Sequence, residues 1–133
     1  MGTRCLTRLY NEQNEEIAVL YRQYDGYPGG HGKELIEFLD GMVVGNGIGS
    51  DMPKKYANGM ECLAAQIVAH FKTEPGQFYL MPPGTHDVGE EYVYTVGLDL
   101  DGSLSVLCTN TYDDDTHYLM LKGEAIWHPE INV

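Results

Sequence analysis

The spacing of apolar residues changes along the chain, and the changes divide it into elements. Residues 3–10, TRCLTRLY, alternate, with Cys5, Thr7 and Leu9 to one side and Arg4, Leu6, Arg8 and Tyr10 to the other. Residues 16–24, EIAVLYRQY, are rich in β-formers, and NEQNE between the two has turn composition. This pattern predicts a β-hairpin. At 32–40, GKELIEFLD, the spacing becomes helical, with Leu35, Ile36 and Leu39 inward and Gly41 as the stop. The strongest periodicity lies at 59–72. There Met60, Leu63, Ala64, Ile67, Val68 and Phe71 recur at i, i+3, i+4, i+7, i+8 and i+11. Asn58 stands where an N-cap is expected. Between the helices, residues 41–59 are mostly loop formers and predict a long irregular loop, a kind of segment that often carries function.

The last third returns to alternation. QFYLMPP reads as a short strand closed by two prolines, and GTHDVGE as a loop. Strands are expected at 91–99, at 104–112 and at 117–127, joined by turns at LDG and DDDT, with HPEINV as a tail. The order ββ-α-loop-α-β-βββ predicts an α+β fold: an antiparallel sheet of about five to six strands with two helices packed on one face. A length of 133 residues and a hydrophobic share of 43% suit a single domain over 1–133.

Charge narrows the partners. The net charge is −12, with eight lysines and arginines in all, four of them before position 34. A basic face for long nucleic acid or an anionic membrane is missing, whereas a small anion needs only a local niche of amides and one or two cations. Cys5, Cys62 and Cys108 are far apart, odd in number and without a CxxC, so reduced structural thiols are expected, with neither a disulfide framework nor a bound metal. No apolar run has the length of a membrane span, and MGTRCLTRLY lacks a signal-peptide core. The expected location is the cytoplasm.

One stretch concentrates candidate chemistry. YRQYDGYPGGHGK, residues 21–33, runs from a predicted strand into a predicted helix, the layout in which helix amides hold phosphate. It is not a Walker A loop: GxxxxGK[ST] has one residue fewer between its glycines and a hydroxyl where Glu34 stands. A ligand-free glycine turn and an anion-holding loop both remain open. In the second, Arg22 and Lys33 would meet phosphate, helped by amides of Gly29, Gly30, His31 and Gly32. Tyr24 or Tyr27 would stack on a base. Asp25 would accept from a ribose hydroxyl or base amine, or simply cap the turn.

Weaker candidates lie elsewhere. GNGIGSD at 45–51, with Asn46, is either a flexible glycine loop or an anion nest served by Lys54 and Lys55. Cys62, Gln66 and His70 line up on one helix face. Cys62 and His70 are roughly 12 Å apart along it, too far for a dyad; a structural role is the favoured reading there, with Gln66 the best candidate for a ligand contact. His86, Asp87, Glu90 and Glu91 gather in one loop, either as solvated charges or as acid-base groups.

MGTR, YRQYDGYPGGHGKEL, NGIGSD, NGMECLAAQIVAHFK and YLMPPGTHDVGEEYVY together resemble a family of short phage and prophage proteins. These open M-[GS]-T-R and carry Y-x-x-[aromatic]-D-G-Y-P-x-G-x-G. The resemblance covers roughly residues 1–96 and implies a phage setting in the host cytoplasm, without an activity attached. The leading expectation is a protein that binds, without a cofactor, a phosphate-bearing nucleotide or nucleotide-derived signal and sequesters it against host defence. Its ligand site would comprise Arg22, Tyr24, Asp25, Tyr27, Gly30, His31, Lys33, Asn46 and Gln66. A pocket shared between two copies in a homo-oligomer fits the tyrosine content. One alternative is a hydrolase of such a ligand, with His31 or His86 as base and Glu90 or Glu91 in support. The other is an acidic inhibitor of a host protein.

Overall fold

The computed structural model describes residues 2–112 and the strand at 117–122. Its elements are β1 (Cys5–Tyr10), β2 (Glu16–Arg22), one π-helical turn (Pro28–Gly32), α1 (Lys33–Leu39), β3 (Val43–Gly45), β4 (Tyr56–Asn58), α2 (Met60–Phe71), β5 (Phe78–Met81), β6 (Tyr92–Leu98), β7 (Leu104–Asn110) and β8 (His117–Lys122). The DDDT turn, the expected strand residues beyond 122 and the HPEINV tail lie outside the described residues.

The fold is α+β, with a six-stranded sheet in the order β5-β2-β1-β6-β7-β8. The sheet is mixed rather than wholly antiparallel, because β1 and β6 run parallel in the register Cys5↔Tyr92 to Leu9↔Val96. The β1–β2 hairpin leaves one side of each strand open. β5 takes the open side of β2 in antiparallel register. The chain then reaches the open side of β1 from the end where β1 itself begins, which makes the pairing parallel, as crossovers of this length allow. Beyond β6 the meander β6-β7-β8 is antiparallel, as its short turns require.

Both helices pack on one face of this sheet. Leu35 and Leu39 of α1 and Met60, Leu63, Ala64, Ile67 and Phe71 of α2 form one cluster with Cys5, Leu9, Leu20, Phe78, Tyr94, Val96, Val106 and Cys108. The periodic stripe of α2 is therefore the face that meets the sheet. Burying each large apolar side chain of this cluster contributes about 1.5–3 kcal/mol. On the opposite face Leu6 and Val19 are also fully buried, outside that cluster. The 82–91 loop is strapped back to the hairpin there, where Arg8 Nη2 donates to Thr85 O (2.6 Å) and Gly84 N donates to Glu16 Oε1 (2.6 Å).

Two local expectations are corrected. The 41–59 segment is not wholly irregular, since β3 and β4 form a short parallel pair within it. Asn58 does not cap α2. Its Oδ1 accepts from Gly47 N at 2.7 Å and closes the second glycine loop. The helix start is Gly59, in a positive-φ conformation (88°) that suits glycine, and the Met60 amide is satisfied by the distant Glu12 carboxylate at 2.6 Å.

Candidate functional site

Arg22 ends β2 and faces the helix layer. It is the one charged side chain in the buried class among the described residues, with 4% of its surface exposed. Strand alternation puts it there: Leu20 and Arg22 fall on the same face, and the register sets Arg22 opposite Phe78 of edge strand β5. The guanidinium lies over the Phe78 ring, 4.8 Å from its centroid. Its Nε donates to Tyr24 O (2.8 Å), and its Nη1 lies 3.2 Å from His31 Nδ1 and 2.5 Å from Glu34 Oε2. A guanidinium has donors only, so Nδ1 of His31 is the acceptor and the ring proton sits on Nε2. That proton is donated to Thr7 Oγ1 at 2.7 Å. The result is a chain Thr7–His31–Arg22–Glu34 running from the sheet interior to the surface.

His31 is fully buried among Phe71, Phe78 and Tyr94, with ring centroids 5.0, 6.3 and 5.0 Å away. Burial first, and then the Arg22 charge, lower its pKa from 6.5 to about 3. The ring is neutral at ordinary pH, and both its nitrogens are engaged. It is thereby ill placed to serve as a general base toward a ligand.

The loop that delivers His31 has used its own amides. Gly30 N and Gly32 N donate to Tyr27 O (2.9 and 3.4 Å), His31 N donates to Asp25 O (2.8 Å), and Lys33 N is turned to Gly30 O and Pro28 O. Three of the four amides of the expected Gly29 to Gly32 cradle, those of Gly30, His31 and Gly32, are thus taken up within the turn itself. Two glycines are explained by packing. A Cβ at Gly26 would sit 2.7 Å from Cys5 Cβ and 2.8 Å from Thr3 O, and one at Gly30 would sit 2.6 Å from Asp25 O. Tyr94 Oη locks the turn by donating to Gly26 O at 2.7 Å.

Of the nine expected ligand residues, Arg22 and His31 touch each other, and Tyr24, Asp25, Tyr27, Gly30 and Lys33 belong to the same turn. Tyr24 and Tyr27 are 43% and 44% exposed, and Lys33 is exposed at the start of α1. Asn46 and Gln66 lie elsewhere. Gln66 Nε2 donates to Tyr56 O (3.1 Å) and ties α2 to β4. Asn46 lines a cleft of about 440 Å³ at the α2 N-terminus with Glu12, Asn58 and Glu61. The nine therefore do not converge on one cavity. Gly47 N and Gly49 N are likewise engaged, and Lys55 Nζ donates to Asp40 O (2.6 Å) at the end of α1. In the 82–91 loop, Glu90 accepts from the amides of Asp87 and Val88 and closes the turn. His86 is exposed beside Asp87.

Reasoning from sequence missed Glu34, Phe78 and Thr7, and considered His70 only as a partner of Cys62. Arg22, Glu34, His70, Phe71, Thr73, Gln77 and Phe78 line a cleft of about 260 Å³. A second cleft of about 330 Å³ adjoins it through the shared Glu34 and His70, and adds Glu37, Phe38 and Lys55. His70 stacks on Phe38 with centroids 4.2 Å apart. Glu34 carried a signal as the acid that replaces the Walker hydroxyl, and His70 through its helix-face alignment with Cys62 and Gln66. Among the described residues no group of three or more His, Cys, Asp or Glu is placed to hold a metal, and no helix is long and apolar enough to cross a membrane. No family model, curated protein or solved structure matches the chain.

Proposed function

We propose that the protein binds a small phosphate-bearing nucleotide or nucleotide-derived signal at the Arg22 cleft and holds it intact. The observation that carries this reading is a buried cation facing a cleft whose carboxylate partner, Glu34, is itself 47% exposed. A guanidinium in low dielectric binds an anion far more strongly than one in water. Three other contacts, to Tyr24 O, His31 and Phe78, keep it in place without Glu34. At about 260 Å³ the cleft suits a phosphate with part of a sugar. The base would then lie outside the cleft, and the exposed Tyr24 and Tyr27 of the neighbouring turn are the candidates to stack on it. The likeness to short phage proteins supports a role in the host cytoplasm as a sink for a defence signal.

The test is retention and release. The protein is incubated with a panel of nucleotide signals, desalted and denatured, and the released material is identified by mass spectrometry. Intact ligand is expected, with retention reduced at least about tenfold in Arg22→Ala, the scale of a lost charged hydrogen bond. Altered ligand would favour hydrolysis instead. Retention unchanged in Arg22→Ala would remove this site.

A second reading, an acidic inhibitor of a host protein, is favoured by edge strand β5. Tyr79 and Leu80 there are 42% and 63% exposed on the strand that ends the sheet among the described residues. Capture of one basic host protein by the wild type, lost when Leu80→Lys is introduced, would support it.

A further inference from the structure

The relation between the two adjoining clefts narrows the ligand class, provided the Arg22 cleft is the binding site. Arg22 is held on several sides and its side chain is only 5% exposed, whereas Glu34 projects from the first turn of α1 and is half in solvent. The side chain free to move is therefore the carboxylate and not the guanidinium. Glu34 lines both clefts, and the second one also holds Lys55 and His70. A carboxylate leaving Arg22 thus swings out at the rim that the two clefts share.

We propose that Glu34 is a built-in competitor for the ligand's anionic group, and that it makes the site select a dianionic terminal phosphate over a singly charged phosphodiester. The reasoning is an exchange of charges. Bound ligand must replace a carboxylate that already sits on the guanidinium through a charge-assisted hydrogen bond. A phosphodiester would exchange one negative charge for another and gain little. A terminal phosphate brings close to two negative charges and three acceptor oxygens, so it gains where the diester does not. The displaced carboxylate, already 47% exposed, is received by water.

The test uses adenosine monophosphate, with its terminal phosphate, and the 3′,5′-cyclic monophosphate, a diester, in calorimetric titrations of the full chain. Wild type is expected to favour the terminal phosphate by about tenfold or more, the scale of one charged hydrogen bond. Glu34→Gln is expected to tighten the cyclic diester and shrink that ratio several-fold. Thermal melts report whether Glu34→Gln remains folded. Independently of any variant, the Arg22 Nε resonance of wild type should shift with the terminal phosphate and not with the diester at equal concentration. If Arg22→Ala abolishes binding while Glu34→Gln leaves the ratio unchanged and the Arg22 resonance responds equally to both probes, the competitor fails and the site stands. If neither probe binds wild type or Glu34→Gln, the site and the competitor both fail.

Discussion

Arg22 Nη1 lies 3.2 Å from His31 Nδ1, and this single contact decides the chemistry of the histidine. Because the guanidinium can only donate, His31 carries its proton on Nε2, directed to Thr7. Nitrogen NMR of the imidazole should show one fixed tautomer, with Nδ1 unprotonated throughout pH 5–8. Substitution Arg22→Met should free the ring to sample the other tautomer. A mixture of tautomers in the wild type would contradict the arrangement.

The same burial makes the fold sensitive to acid. Below pH 6.5 the unfolded chain takes up a proton at His31, and the folded chain resists until about pH 3. Falling pH therefore favours unfolding in that window, by about 1.4 kcal/mol per pH unit from this residue, with no contribution above it. Urea unfolding from pH 8 to pH 4 measures the slope. His31→Asn should be less stable at pH 8 yet lose less on acidification. Parallel profiles for the two proteins would refute the assignment.

Three neighbouring glycines should respond differently to alanine. Gly26→Ala and Gly30→Ala each place a Cβ against atoms that cannot step aside, chiefly Thr3 O and Asp25 O. Each should cost about 1–3 kcal/mol, the range for overpacking. Gly29 is exposed and its Cβ would meet nothing nearer than the Tyr27 ring at 3.8 Å, so Gly29→Ala should stay within about 0.5 kcal/mol. Thermal denaturation of the three variants checks this. A Gly29 variant as damaged as the other two would mean that the turn needs freedom rather than space.

Glu12 satisfies the first amide of α2 across 48 positions of sequence. Glu12→Ala should destabilise the protein by about 1 kcal/mol, the usual value of a lost helix cap. Asn58→Ala should leave α2 intact and instead loosen the loop that Asn58 closes at Gly47. Amide hydrogen exchange separates the two effects. Faster exchange at Met60 in the Asn58 variant would restore Asn58 as the cap.

The cysteines differ in access. Cys5 and Cys108 are fully buried, and burial pushes the Cys5 thiol well above its ordinary range, whereas Cys62 is partly exposed. Iodoacetamide should label Cys62 in the native protein and the other two only in denaturant. Peptide mapping after labelling reads this directly, and native labelling of Cys5 ahead of Cys62 would count against the packing described.

What the sequence determined by itself was local. The alternation of TRCLTRLY and EIAVLYRQY and the seven-residue recurrence in 59–72 mark which side of each element is apolar, because backbone period maps residues to faces directly. Both helices, the strands of the large sheet and the helix layer followed from that alone, while β3 and β4 within 41–59 did not. The partners across space were decided by tertiary structure. Nothing near Arg22 in the chain indicates Phe78, which reaches it through strand register, or Thr7, which meets His31 from 24 positions away. The parallel β1–β6 pairing depends on which strand sides the hairpin left open. The glycine-rich turn looked ready to hold an anion because its amides are numerous. Once folded, those amides find carbonyls within the same turn, since an unbonded amide beside a buried core is costly. The buried positive charge beside the turn comes from the strand before it, at Arg22, paired with a glutamate from the helix after it.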